Sequence, residues 1–301
     1  MPLLVTGTIG IDTVETPHGL AQDVLGGSAA YFALAASLIT PVRLVGVVGS
    51  DFPPSFRDVF KGRPIDLAGL ETRPGSKTFR WAGKYVGDMN AAETLRTDLN
   101  VVSETPPTIP EQFRDSRYVF LANTHPALQR GFIEQLKQPK LIVCDTMNLW
   151  INVAKEELLK TLSMVNGMVM NDGEARLLTG QVDLIQAGHD VLKLGPEFVA
   201  IKKGEHGVLM VTKDEVVALP AYPTMKVKDP TGAGDSFAAG VMAYLASTDR
   251  RDTAALRAAL AHGTCLASIT IEDFSMRSLA AADKGTLEGR LAKYKSMLAI
   301  G

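Results

Sequence analysis

Short apolar runs rich in β-branched residues alternate with stretches of helical periodicity along most of the chain, and no other feature restricts the fold as much. The runs at residues 3–9, 43–48, 118–121, 141–144, 167–170 and 199–201 read as buried strands, each closed by a turn or a polar residue. Between them, residues 28–39, 127–136, 153–165, 172–178 and 187–194 repeat apolar side chains at spacings of three and four, as helices do. Strands joined by helices must cross over and lie parallel. The pattern therefore predicts an α/β fold with a mainly parallel central sheet covered by helices on both faces.

One stretch departs from this rhythm. Residues 76–102 alternate apolar and polar side chains at period two, through KTFRWAGKYV and ETLRTDLNVV, with Gly87-Asp88-Met89-Asn90 as the turn between. This predicts antiparallel strands forming a small β-sheet lid within a single domain spanning residues 1–301, its strands inserted at about 12–25 and 76–102. Phe79, Trp81 and Tyr85 fall on one face of it and Arg80 and Lys84 on the other. The Pro-rich segment 105–110 returns the chain to the main sheet. After a hairpin at 208–219 the chain ends in helices, at 232–246, 253–269 and 286–298, with no internal repeat.

Lys and Arg total 31 against 33 Asp and Glu, so no overall basic surface favours nucleic acid or an anionic membrane. A small-molecule partner is expected instead. Cys144 and Cys265 stand far apart in apolar segments without metal or redox spacing, and are expected to be reduced core residues. The start, MPLLVTGTIGID, carries no basic leader, and no apolar stretch approaches the length of a membrane span, which predicts a cytoplasmic protein.

The chemistry concentrates in Lys228-Asp229-Pro230-Thr231-Gly232-Ala233-Gly234-Asp235, which runs into the helical segment SFAAGVMAYLA. Small residues where a helix begins let an anion approach main-chain N–H groups that have no intrahelical partner. A carboxylate placed at such a cradle suits a base that takes the proton of an attacking alcohol, while the N–H groups hold a transferred phosphoryl group. By itself a Gly-x-Gly-Asp is better explained as an acidic residue favouring the helix dipole.

The whole string resembles the D-T-x-G-A-G-D signature of the PfkB carbohydrate kinases, members of the ribokinase-like superfamily, and other segments agree in order and spacing over nearly the whole chain. The resemblance implies a three-layer ribokinase-like fold and an ATP-dependent kinase acting on an alcohol of a sugar or nucleoside. Asp235 would be the general base, with Gly232, Ala233 and Gly234 as the cradle. Gly26-Gly27 looks like the family's di-glycine motif and Asp12 like its sugar-binding aspartate. Asn171-Asp172-Gly173-Glu174 resembles N-x-x-E, which implies Glu174 acting on Mg²⁺ through water, though the same four residues make a good helix cap. Lys203, Gly204 and Gly207 match the nucleotide-side G-x-x-G turn, where Lys202 and Lys203 supply positive charge. The helix containing His262 matches one bordering the adenine. Asp229 and Thr231 correspond to a monovalent-cation site, so K⁺ joins ATP and Mg²⁺ among the implied ligands.

Departures from the family pattern bear on the acceptor. Tyr31 stands where many sugar kinases of the family carry Asn, so a different set of hydroxyls is expected to be read there. Asp145 and Asn148, in CDTMN, resemble a D-x-N segment with one residue added. Two other readings compete: a non-catalytic sensor on the same scaffold, which retention of Asp235 and its glycines disfavours, and a dinucleotide oxidoreductase, which the absence of G-x-G-x-x-G after the first strand disfavours. Walker A and protein-kinase motifs are absent. Sugar or nucleoside, and a monomer or a dimer joined through the lid, remain open at this level.

Overall fold

The computed structural model describes residues 1–299; residues 300 and 301, the end of the expected domain, lie outside the described residues. In chain order the strands are β1 Leu3–Thr6, β2 Gly10–Thr16, β3 Gly19–Gly26, β4 Val42–Gly49, β5 Ile65–Arg73, β6 Phe79–Tyr85, β7 Ala92–Asp98, β8 Tyr118–Leu121, β9 Leu141–Asp145, β10 Gly167–Asn171, β11 Phe198–Lys202, β12 Val208–Thr212 and β13 Val216–Leu219.

Nine of them form one sheet in the order β13-β12-β11-β10-β9-β8-β1-β4-β5. Every pair from β5 through to β11 is parallel, and the β11-β12-β13 edge is antiparallel. Each central strand is buried along its length because helices cover both faces. One layer holds the helices Ser28–Ala36, Ala233–Thr248, Thr253–Thr270 and Lys284–Leu298, packed on a core that includes Phe32, Phe120, Val143 and Ala200. The other holds Pro126–Ile133, Lys155–Leu162, Asp172–Thr179 and Leu184–Leu192 over Val119, Ile142, Met168 and Val199. No helix of the described residues is long and apolar enough to cross a membrane.

Strand order sets the position of the site. The chain moves from β1 outward to β4 and β5, then returns to place β8 on the other side of β1. Neighbouring connections thus leave in opposite directions at β1/β8 and open a crevice beyond the carboxyl ends of these strands. Gly7 and Ala122 close its floor: a Cβ on Gly7 would lie 2.7 Å from that of Ala122. Above the crevice, β3-β2-β6-β7 form a separate four-stranded sheet. β2 pairs with β6 in parallel, and the two outer pairs are antiparallel.

Three local expectations need correction. The strand expected over residues 3–9 ends at Thr6, and β2 starts at Gly10, two residues before the expected lid strand, with Asp12 inside the small sheet. The helix expected at 153–165 is interrupted at Ala154 (φ −140°), giving Asn148–Val153 and Lys155–Leu162. β5 went unrecognised. It is an edge strand with mostly half-exposed and charged positions, so its pattern carries little periodic signal.

The helices Ala233–Thr248 and Thr253–Thr270 approach so closely that a Cβ on Gly240 would come within 2.5 Å of the Gly263 main-chain nitrogen. Gly240→Ala is therefore expected to lower stability by about 1–3 kcal/mol, because backbone rather than a flexible side chain must move. Urea denaturation checks this; an unchanged midpoint would show that the two helices have room to separate.

Candidate active site

Asp12 is held by glycines. It is the third residue of β2 and 4% exposed, with the Gly27 N–H facing its carboxylate and lowering its pKa. A side chain on Gly26 would overlap that carboxylate, and Gly27, at φ 97°, would drive a Cβ into the Thr8 carbonyl. Burial pushes the Asp12 pKa up to about 7, with a further rise from Asp229. Its Oδ1 is buried without a hydrogen-bond partner among the described residues. A buried acceptor left open is costly unless a ligand hydroxyl completes it.

The Lys228–Asp235 string is anchored by Asp229, whose buried carboxylate accepts the Thr231 N–H (2.9 Å) and the Ser275 N–H (3.1 Å). Gly232 follows at φ 77°, and the ring of Tyr31 fills the place a Cβ would take. The sixteen-residue helix Ala233–Thr248 starts here without a side-chain cap. Of the expected cradle donors, Ala233 is corrected: its N–H closes a turn onto the Pro230 carbonyl at 3.1 Å. The N–H groups of Gly232 and Gly234 make no hydrogen bond among the described residues. Tyr31 is 2% exposed, and burial followed by the charges of Asp229, Asp12 and Asp235 holds its phenol firmly protonated.

Asp235 is half-buried on the first turn of this helix. Its pKa is pushed up to about 8, chiefly by burial and then by Asp145, against the pull of Lys202. Lys202 ends β11, whose register sets it beside Asn171 at the end of β10. Burial opposes its charge, but Asp145, Glu174 and Asp235 together hold its pKa above the ordinary lysine value. Asn171 and Glu174 form a reciprocal capping box, each accepting the other's N–H at 2.7 Å. Both the cap and an electrostatic role are thus available to Glu174, whose pKa rises to about 7, first through burial.

The small sheet bends over these groups. The Tyr85 hydroxyl lies 3.4 Å from Thr231 Oγ1, and Asn90 in the tip of the β6–β7 hairpin touches Gly204, which has φ 54°. Trp81 shares the face of Asp12 through the β2–β6 register, and Phe79 lies beside Gly10. Trp81 also packs across Gly83 and donates to Thr94 Oγ1 (3.2 Å), so it serves the sheet's own packing. On the opposite face Arg80 pairs with Asp23 and Asp51, and Lys84 with Glu15.

The structure thus gathers Asp12, Gly26, Gly27, Tyr31, Asp229, Thr231, Gly232, Gly234 and Asp235 around the crevice, with Asn171, Glu174, Gly204 and Gly207 along its flank. Two expected residues are not joined to it. Asn148 is exposed at the start of a short helix and makes no hydrogen bond among the described residues. His262, on the Thr253–Thr270 helix, packs against Tyr244 with ring centroids 4.5 Å apart and tilted by 34°, and its Nδ1 lies 2.7 Å from the Ala258 carbonyl. Sequence reading missed a cluster at the β8 and β9 ends: Trp150 Nε1 donates to Asn123 Oδ1 (2.9 Å), and His125 meets the Trp150 ring edge-on at 5.1 Å. Ser28, which follows Gly27, donates to the Asn123 carbonyl (3.3 Å). Asn123, His125 and Trp150 lie 27 or fewer positions apart in sequence with no shared local pattern; their place after adjacent parallel strands was the available signal.

Residues 12–282 match the pattern of the pfkB family carbohydrate kinases. The chain is 30% identical to the cytidine kinase of Thermococcus kodakarensis over 254 residues, 81% of this chain and 88% of that one. It is 27% identical to a nucleoside kinase of Methanothermobacter thermautotrophicus, covering 84% of this chain and 80% of the relative. In three dimensions it resembles the nucleoside kinase of Methanocaldococcus jannaschii, an archaeal member of the ribokinase family, with a TM-score of 0.76, 21% identity, and coverage of 97% of this chain and 98% of that one.

Asp235 has a consequence for stability. Its folded pKa of about 8 exceeds the ordinary 3.8, so the folded chain retains a proton that the unfolded chain has already lost between those values. Its contribution to stability therefore declines as pH rises from about 4 to about 8. Asp235→Asn is expected to raise the melting temperature by at least about 3 °C at pH 8 and to leave it nearly unchanged at pH 4. Scanning fluorimetry across that range checks the sign, and a lower melting temperature at pH 8 would contradict it.

Proposed function

The chain belongs to the pfkB family of carbohydrate kinases and is an ATP-dependent sugar or nucleoside kinase; from that premise we propose that it phosphorylates the primary hydroxyl of a nucleoside. The observation that carries this reading is the Asn123, His125 and Trp150 group, which the Ser28–Asn123 hydrogen bond ties to the Gly26-Gly27 turn and which offers amide and aromatic side chains suited to a nucleobase. Asp12 offers an open acceptor for ribose hydroxyls. Its two relatives named for cytidine and nucleosides favour the same substrate class.

In the reaction, Asp12 and the Gly26-Gly27 turn hold the sugar and aim its primary hydroxyl at Asp235. Asp235 takes the proton as the alcohol oxygen bonds to the γ-phosphorus, and the bond from that phosphorus to the β,γ-bridging oxygen breaks to release ADP. The N–H groups of Gly232 and Gly234 stabilise the charge on the group in transfer. A base with a pKa near 8 is poised for this task, and its raised value reflects the same burial that excludes water. The four-stranded sheet serves as the lid, with Tyr85 and Asn90 closing it onto Thr231 and Gly204.

Glu174 and its neighbours present hard oxygen donors suited to Mg²⁺, though one Glu174 oxygen is committed to its cap, so these residues would hold the ion through water. When bound, Mg²⁺ neutralises phosphate charge. Asp229 is buried with each carboxylate oxygen accepting one main-chain N–H, and its remaining lone pairs are hard donors that would suit a weakly hydrated cation such as K⁺.

The test is ADP release with cytidine, uridine, adenosine and inosine against ribose, fructose and sugar phosphates, with and without potassium. At least one nucleoside is expected to exceed every free sugar in kcat/KM by about tenfold or more. Asp235→Asn is expected to abolish transfer while ATP binding persists. Preference for a free sugar would overturn the substrate class, and undiminished turnover in the variant would overturn the base.

A further inference from the structure

Lys202 has an unusual position. Its side chain is 19% exposed, and its ammonium makes no hydrogen bond among the described residues; the nearest carboxylate oxygen, Asp145 Oδ2, is 4.0 Å away. An ammonium carries three donors, so a lysine this enclosed would ordinarily use them. Asp145 is itself engaged elsewhere, accepting the Thr146 N–H at 2.5 Å. The three carboxylates around Lys202 hold its charge in place without occupying its hydrogens.

The direction of the side chain is equally specific. A Cβ on Gly234 would lie 2.7 Å from Lys202 Nζ and within 3.8 Å of its Cε and Cδ, so the lysine runs across the first turn of the Ala233–Thr248 helix in space that only glycine leaves open. Gly234 also carries one of the open N–H donors, and Asp235 is the next residue. One spot is therefore shared by an unpaired cation, an unpaired main-chain donor and the base.

We propose that Lys202 is a catalytic residue whose ammonium contacts the phosphoryl group as it passes from ATP to the acceptor, a role that rests on the phosphotransfer described above. Charge spreads over the equatorial oxygens of that group in the transition state, and a cation already fixed there stabilises it without reorganising. Lys203, the neighbour matched to the family's turn, has its N–H bonded to the Gly207 carbonyl at 2.7 Å and belongs to the turn itself.

The test compares wild type with Lys202→Met, Lys202→Gln and Lys202→Arg. It measures kcat, KM for ATP and nucleoside, and affinity for ADP with and without fluoroaluminate, which mimics the group in flight. Lys202→Met is expected to lower kcat by about 10²–10³-fold, with both KM values within about threefold. It should bind ADP normally but lose the tightening that fluoroaluminate gives, and Lys202→Arg should recover part of kcat. Lys202→Gln keeps a polar group in the crevice and carries the same test if the apolar variant does not fold. A kcat within about threefold of wild type overturns the proposal, as does an equal loss of ADP and ADP–fluoroaluminate affinity, which would assign Lys202 to holding the crevice together. A wild-type chain that transfers no phosphate to any alcohol would instead overturn the phosphotransfer reading beneath it.

Discussion

Carboxylates buried together beyond the carboxyl ends of the parallel strands, with a single lysine among them, are the condition on which the rest of this structure depends. Asp12, Asp145, Glu174 and Asp229 are buried there with Asp235 beside them, and the pKa of each is raised, first of all by burial. Lys202 is the basic group acting on three of them. The remainder of the compensation comes from main-chain N–H groups: Gly27 onto Asp12, Thr146 onto Asp145, Asn171 onto Glu174, and Thr231 with Ser275 onto Asp229. Such a site costs stability in isolation and is relieved when hydroxyls and cations arrive.

Glycines make that arrangement sterically feasible. Gly26 yields its side-chain volume to the Asp12 carboxylate, Gly232 to the Tyr31 ring and Gly234 to Lys202. Each functional side chain thus occupies space vacated by a glycine on a different element, which couples β2 to β3, the Ser28–Ala36 helix to the long helix, and β11 to that same helix. The small sheet completes the enclosure through Tyr85 and Asn90, which touch Thr231 and Gly204 from above.

Much of this was legible in the sequence because it is local. The strand and helix alternation follows from periodicity, the helix start at Ala233 from the small residues around it, and the capping box from Asn171 and Glu174. What escaped depends on topology. Trp150 and Asn123 meet because β8 and β9 are parallel neighbours whose ends open on one crevice, and neither has a telling local context. Lys202 and Lys203 are adjacent in sequence, but the β10–β11 register sets Lys202 beside Asn171 while Lys203 turns into the Gly204–His206 loop. Asn148, three residues after the Asp145 that ends β9, stands exposed at the start of a short helix.

The most direct measurement is a crystal structure with a non-hydrolysable ATP analogue and a bound nucleoside. The γ-phosphate should accept from the Gly232 and Gly234 N–H groups, with the acceptor's primary hydroxyl within hydrogen-bonding distance of Asp235 and a ribose hydroxyl on Asp12. A triphosphate seated elsewhere, leaving those two amides and the Asp12 oxygen without partners, would contradict the account.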